Sequence, residues 1–293
     1  MNTDKTVVPS SPARQAVAAF GASTLNVAAL MPLDTLTRAM QAQGSSSYSG
    51  TLKALTLDPH TGQRHVTHLY RGMGLAVAEA GIGRAMLFGG VAGIKRYLPS
   101  EWSETTKEAS GAFVFAAARG VITAPIDKIK TMRQVTAHHG KAGTLHTFLH
   151  VVQNDSVLGF WRGMSTDLLR NSIRLPLFMG LRAKLNEEAH AHGIDTRLGK
   201  SLTHIGVGAL AGVSSELASY PWFTVKVWMQ KAETSHQVPK GPFVNLQMLK
   251  TIAAEHGIRG WYAGAAGRSG GYFVGAALFN LSFEYFKELL TSV

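Results

Sequence analysis

A Pro followed nine residues later by a Gln occurs three times in this chain, as Pro32…Gln41, Pro125…Gln134 and Pro221…Gln230. The three Pro stand 93 and 96 positions apart, so the 293 residues read as one body of three similar units, not as unrelated domains. The units are residues 15–100, 101–197 and 198–293, after a polar tail, 1–14, that Pro9 and Pro12 keep out of a helix. Only the middle copy holds both an acid two residues after its Pro and a base five residues after it, Asp127 and Lys130. The first keeps the acid, Asp34, with Thr37 in the base position; the third keeps the base, Lys226, with Phe223 in the acid position.

Each Pro falls near the end of an apolar segment, where a kink or break is expected. Residues 16–33 carry no charge, a run long enough to span a bilayer, and five other segments of similar length hold few charges each. Small residues sit at two fixed offsets before each Pro: Ser23 and Ala19, Ala116 and Ala112, Gly212 and Gly208. That spacing lets helix backbones approach closely in a membrane. After each Gln come a short amphipathic stretch (51–57, 145–152, 244–253) and a second marker: Leu69-Tyr70-Arg71-Gly72, Phe160-Trp161-Arg162-Gly163 and Trp261-Tyr262-Ala263-Gly264. Aromatics, in two markers beside a base, read as an interfacial belt opening a second apolar segment (73–94, 164–181, 265–286). Each repeat is therefore helix, loop with a short surface helix, helix. The fold class is an all-α membrane protein of six spans.

The formal charge of +11 suits anionic solutes, an anionic membrane surface or nucleic acid, and the apolar segments favour the first two. The three long intra-repeat loops carry fourteen Lys and Arg against six acids, whereas the tails and inter-repeat loops carry ten against nine. The long loops are thus assigned to the positive, inner side. The absence of Cys excludes disulfides, thiolate metal sites and a Cys nucleophile. No Arg-rich amphipathic pattern or signal-peptide core opens the chain, so a cleaved targeting segment is not expected. His146 and His150 at i, i+4 and the pair His138-His139 have no third ligand placed beside them, and neither a metal nor a cofactor is expected.

With these repeats on the page, the chain resembles the mitochondrial carrier family of six-helix solute transporters over about residues 15–290. The resemblance rests on Pro-x-Asp in the first two repeats, Lys130 and Lys226, the aromatic-Arg-Gly markers, and a second-helix motif complete only as Phe283-Glu284-Tyr285-Phe286-Lys287. In the first repeat only Lys95 of that second motif survives, with Ala92 in the acid position; in the second, Ala183 and Asn186 replace both charges. The resemblance implies a pseudo-threefold bundle of six tilted helices around a water-filled cavity, three short surface helices on the matrix side, and two gates that break alternately. It also implies a monomer, multi-pass in the inner mitochondrial membrane, with an anionic lipid such as cardiolipin at the starts of the surface and even-numbered helices.

Carried over residue by residue, the matrix gate comprises Asp34 with Lys130 and Asp127 with Lys226, braced by Gln41, Gln134 and Gln230. The third pair would be Phe223 with Thr37. Both of its charges are missing together, as electrostatics requires, since one partner left alone in a low-dielectric site costs roughly 3–5 kcal/mol. The cytoplasmic gate keeps Lys95, Glu284 and Lys287. A thin outer gate and a two-bridge inner gate imply a carrier resting open to the outside.

Ionisable residues at membrane depth are functional candidates. By their distance from the Gly that opens each second helix, these are Arg170, Asn171 and Arg174 in the second repeat and Glu79 and Arg84 in the first. Arg119 lies on the first helix of the second repeat, as Glu216 does in the third, and Arg268 sits near a helix start. Arg170 followed by Asn171 resembles the Arg-polar pair of family members that handle keto acids and di- or tricarboxylates, and guanidinium groups pair well with carboxylates. The function so implied is secondary transport by alternating access, as an antiporter, of small anionic metabolites. Nucleotides or other phosphorylated substrates are the alternative within transport, and a non-transporting scaffold the alternative outside it; no nucleophile–base set or metal set supports an enzyme. Both surviving inner bridges pass through the helix that holds Asp127 and Lys130. Charge reversal at either is therefore expected to reduce exchange in liposomes more than any substitution of Thr37, and equal losses would remove that ranking.

Overall fold

The computed structural model describes residues 12–57, 62–83, 97–135, 143–191, 197–231 and 243–291. It is all helical, apart from one isolated antiparallel bridge between Leu57 and Arg64. The first repeat contains α1 (Pro12–Gln43), α2 (Tyr48–Thr56), a 3-10 turn (Val66–Tyr70) and α3, described over 73–83. The second contains α4 (Glu104–Val135), α5 (Thr144–Asp155), a 3-10 turn (Val157–Trp161) and α6 (Met164–Ala191). The third contains α7 (Arg197–Lys231), α8 (Val244–His256), a 3-10 turn (Ile258–Tyr262) and α9 (Ala265–Thr291). The long–short–long order expected from the sequence is present in the second and third repeats, and the first follows it as far as α3 is described.

Two local expectations change. Helix α1 begins at Pro12, inside the segment assigned to the tail, because Pro is well suited to a first helical turn, whose N–H groups have no intrahelical partner. Pro32, Pro125 and Pro221 lie inside α1, α4 and α7, each of which continues to its Gln as one helix, so none is a break. The small residues also divide in role. Ser23 is buried, whereas Ala116 is half-buried on the wall of a cavity.

The short helices pack against the C-terminal half of the long helix of their own repeat. Thr51 with Leu55, Thr147 with Val151 and Met248 with Ile252 are the buried i, i+4 pairs of α2, α5 and α8. Leu55 joins Ala39 and Leu69, Val151 joins Ile129, Met132 and Phe160, and Met248 with Ile252 joins Val225, Trp228 and Met229, in three separate apolar clusters. Thr35 and Thr224, each three residues past its Pro, donate to the first carbonyl of the local marker, Leu69 at 2.7 Å and Trp261 at 2.7 Å. Among the described residues no helix is long and apolar enough to cross a membrane, and the uncharged run 16–33 includes positions whose side chains are outside that set.

The ring is closed by the glycines that end the markers. Gly72, Gly163 and Gly264 have φ of +82°, +88° and +75°, a left-handed conformation that lets the chain turn sharply into the next helix. Each also lies against the residue five past the Pro of the following repeat. Gly72 meets Lys130, Gly163 meets Lys226, and Gly264 returns to Thr37. The third repeat thereby docks on the first. The closest of these approaches is at Gly264, where a Cβ would stand 3.1 Å from the Thr37 carbonyl oxygen and 3.2 Å from its Cα. Backbone cannot yield as a flexible side chain does. Gly264→Ala is therefore expected to destabilise by about 1–3 kcal/mol, while Gly180→Ala, with open space around it, should be neutral or slightly stabilising. Thermal unfolding of the two variants measures this, and equal melting temperatures would contradict it.

Candidate functional site

The C-terminal halves of α1, α4 and α7 bring the three Pro-to-Gln segments together in a buried, charged cluster. At its centre is Asp127 of α4. One carboxylate oxygen accepts from Lys226 of α7 at 2.9 Å, the other from Arg38 of α1 at 3.2 Å, and Lys130 one turn on is 3.3 Å away. Gln230 of α7 also donates to Asp127 at 2.9 Å and accepts from Thr131 at 2.9 Å. Asp167 of α6 takes a second contact from Lys226, at 2.8 Å.

The expected Asp127–Lys226 pair is present, but no ion pair joins Asp34 to Lys130 among the described residues. Both oxygens of Asp34 are engaged elsewhere: Arg38 at 3.3 Å and Gln134 at 3.3 Å on one, Arg268 of α9 at 3.1 Å on the other. Lys130 turns instead to Glu79 of α3, with which it makes a short ion pair, and Glu79 also accepts from Arg119 at 3.5 Å. Arg84, the partner expected for Glu79, lies outside the described residues. So does Lys95, while Glu284 and Lys287 fall in α9 at positions whose side chains are not described, so no geometry bears on the outer gate.

The vacant third position shows its own chemistry. Gln134 and Gln230 brace Asp34 and Asp127, but Gln41, fully buried, has neither side-chain atom hydrogen-bonded. The acid it would brace is Phe223. Thr37 is likewise buried with its hydroxyl unpartnered. The Phe223 ring packs with Tyr220 and Val227 and is faced by guanidinium groups, Arg268 at 4.4 Å and Arg170 at 4.6 Å from its centroid, with Arg38 at 6.0 Å. Glu216 of α7, with no exposed surface, holds both nearer cations. Nη2 of Arg170 reaches its two oxygens at 2.7 and 2.6 Å, and Nε of Arg268 reaches one at 2.9 Å.

Two cavities adjoin this cluster. One of about 530 Å³ lies between α1, α3, α4 and α9 and is largely apolar, with Asn26, Asp34 and Thr37 on its walls. A second of about 390 Å³ lies between α4, α6 and α7 and is more polar, with Arg170, Asn171, Arg174, Asp167 and Lys226 on its walls. Glu79, Arg119 and Arg268 line both. Five of the six substrate-contact candidates, all but Arg84, therefore face these cavities. Asn26 is partly engaged, donating to the Gly275 carbonyl at 2.6 Å.

Arg38 and Asp167 were not singled out by sequence reasoning. Arg38 follows Thr37 directly, and a base displaced by one residue from an empty position was the available signal. Asp167 and Arg268 share one register, four residues past the marker glycines Gly163 and Gly264, which the two sequence motifs do not include.

The family model described as mitochondrial carrier protein matches the chain three times, over residues 8–102, 101–187 and 199–293. Mitochondrial substrate carrier family protein Z of Dictyostelium discoideum is 25% identical over 279 residues, covering 88% of this chain and 85% of that one. A protein named mitochondrial citrate transporter B, from Aspergillus niger, is 27% identical over 58% of this chain and 53% of its own. One named mitochondrial arginine transporter BAC2, from Arabidopsis thaliana, is 26% identical over 70% of this chain and 69% of its own. Three matches in tandem along three structural repeats leave one conclusion: the chain belongs to the mitochondrial carrier family.

Proposed function

We propose that this chain is a multi-pass secondary transporter of the inner mitochondrial membrane that exchanges small anionic metabolites by alternating access, with di- and tricarboxylates or keto acids as the substrate class. The family supports transport and a mitochondrial membrane. Its members do not fix the charge of the cargo, since the relatives above are named for citrate and for arginine. The cavity residues are the better guide. Eight Lys and Arg side chains line the two cavities against four Asp and Glu. Glu216 and Asp155, which lie behind Arg170 and Arg162, offset two more of the bases. A surplus of positive charge remains in a site of restricted water, and it suits a dianion better than a cation.

The observation that carries the reading is the Arg170–Glu216 contact. It shows the guanidinium, at the wall of the 390 Å³ cavity, already holding a carboxylate at charge-assisted hydrogen-bond distance. A substrate carboxylate entering that cavity would compete with Glu216 for this guanidinium, with Asn171, Arg174 and Arg119 around it. The assembled inner cluster makes this the form closed toward the basic loops. The protein acts as a monomer with anionic lipid at its rim, and no enzymatic step is part of the reading. The 530 Å³ cavity favours a second reading, a nucleotide or other phosphorylated substrate, because it is roomier than a dicarboxylate requires.

Thermal unfolding of the purified protein against citrate, malate, 2-oxoglutarate, ATP and arginine separates these. A ligand at a hundred times its dissociation constant adds about 2.7 kcal/mol of stability. Carboxylates are expected to raise the melting temperature and to exchange in liposomes, and Arg170→Ala is expected to abolish both responses. A response to ATP without one to carboxylates would replace the substrate class with the second reading. A response to arginine alone would overturn the anionic reading, and silence toward the whole panel would favour the scaffold alternative.

A further inference from the structure

The third inner bridge, between α7 and α1, lacks both of its expected charges, yet α7 and α1 are still joined. Glu216 of α7 accepts from Nε of Arg268 at 2.9 Å, and Asp34 of α1 accepts from Nη1 of the same guanidinium at 3.1 Å. Arg268 belongs to α9, so the connection runs acid–base–acid through a third helix. From this geometry we infer that Arg268 is a positioning residue of the inner gate, which replaces the missing Phe223–Thr37 bridge by a relay from Glu216 to Asp34.

Three observations support the relay. Arg268 alone among the described bases contacts acids of both α1 and α7 without itself lying on either helix or on α4. The Phe223 ring lies 4.4 Å from its guanidinium carbon, so the residue that replaced the acid presents a π face to the cation of the relay. The brace at the vacated position has lost its function, because Gln41 is fully buried with its amide unpartnered, whereas Gln134 and Gln230 still hold their acids. A planar guanidinium with donors on separate nitrogens can hold two carboxylates at once; a Lys ammonium is a compact point charge that matches this fork poorly. The relay differs from the other inner contacts in one respect. It needs no charge at position 37 or 223.

The test uses the substrate-free, full-length protein and is independent of what it transports. The chain has no Cys, so Ala116→Cys, on the wall of the 390 Å³ cavity, provides a single thiol. Its labelling by a membrane-impermeant thiol reagent applied from the side of the basic loops reports opening of the inner gate. In this background Arg268→Gln is expected to raise labelling about fivefold or more. Glu216→Gln is expected to do the same, and Arg268→Lys to give a partial rise. Adding Thr37→Lys with Phe223→Asp to Arg268→Gln, which supplies a direct α7–α1 bridge and an acid for Gln41, is expected to return labelling toward the parent level. Unchanged labelling in Arg268→Gln would overturn the relay. So would parent-like labelling in Arg268→Lys, or failure of the direct bridge to reverse the effect in a variant that melts cooperatively. Should Arg268→Gln not accumulate, Arg268→Lys and Glu216→Gln carry the same decision. Loss of carboxylate binding with normal labelling would count against the relay while leaving the proposed transport intact.

Discussion

The structure depends on one buried carboxylate. Asp127 sits where α1, α4 and α7 meet and is held by Lys226, Arg38 and Lys130, with the amide of Gln230 on the same oxygen as Lys226. A charge in that position is tolerable only because its partners are in place, since removing one partner of a buried pair costs roughly 3–5 kcal/mol. The cations come from three helices that otherwise diverge around two cavities. Asp127 therefore sets how closely the helices can approach and where the cavities end. Arg38 extends its reach, because the guanidinium that meets Asp127 also meets Asp34, and its Nη1 donates to Thr131.

Around that centre the threefold pattern is kept in backbone and broken in charge. The marker glycines meet the next repeat at equivalent points all the way round, Gly264 on Thr37 included. The backbone ring is thus indifferent to whether residue 37 is a base. The side-chain network is not. Two braces work and the third, Gln41, has no acid to hold. Position 37 lacks its base and position 223 its acid, so neither is left with a charge whose direct partner is missing. The unpartnered Gln41 amide is a smaller penalty, on the order of 1–3 kcal/mol.

The fold was legible in the sequence because its signals are spacings. Pro-to-Gln intervals, aromatic-base-Gly markers and i, i+4 apolar pairs are set by backbone geometry and survive divergence of the side chains. The Asp127–Lys226 pair was legible for the same reason. Pairing at Lys130 was not. Which acid it meets depends on the reach of Arg38 and Arg268 toward Asp34, and neither belongs to a motif. Arg268 looked like an ordinary base near a helix start until its two carboxylates were seen together. Pro12 shows the same limit at the backbone level, since a Pro that excludes a helix interior also makes a good helix beginning.

The same cluster links the gate to the candidate cargo. Arg170 and Arg268 share Glu216 and flank Phe223, and both line the 390 Å³ cavity. An acid at position 223 would bring another carboxylate close to Glu216, Asp34 and Asp127 and would compete for cations already engaged by them. A ring offers those cations a favourable face, about 0.5–2 kcal/mol for each well-placed contact, without adding a charge that an incoming anion would have to approach. Phe223 thus leaves the 390 Å³ cavity without the negative charge that an acid at that position would add to its wall. If the cargo is the anion proposed above, the side chain that removes an acid from the gate also removes a negative charge from the wall of the candidate site.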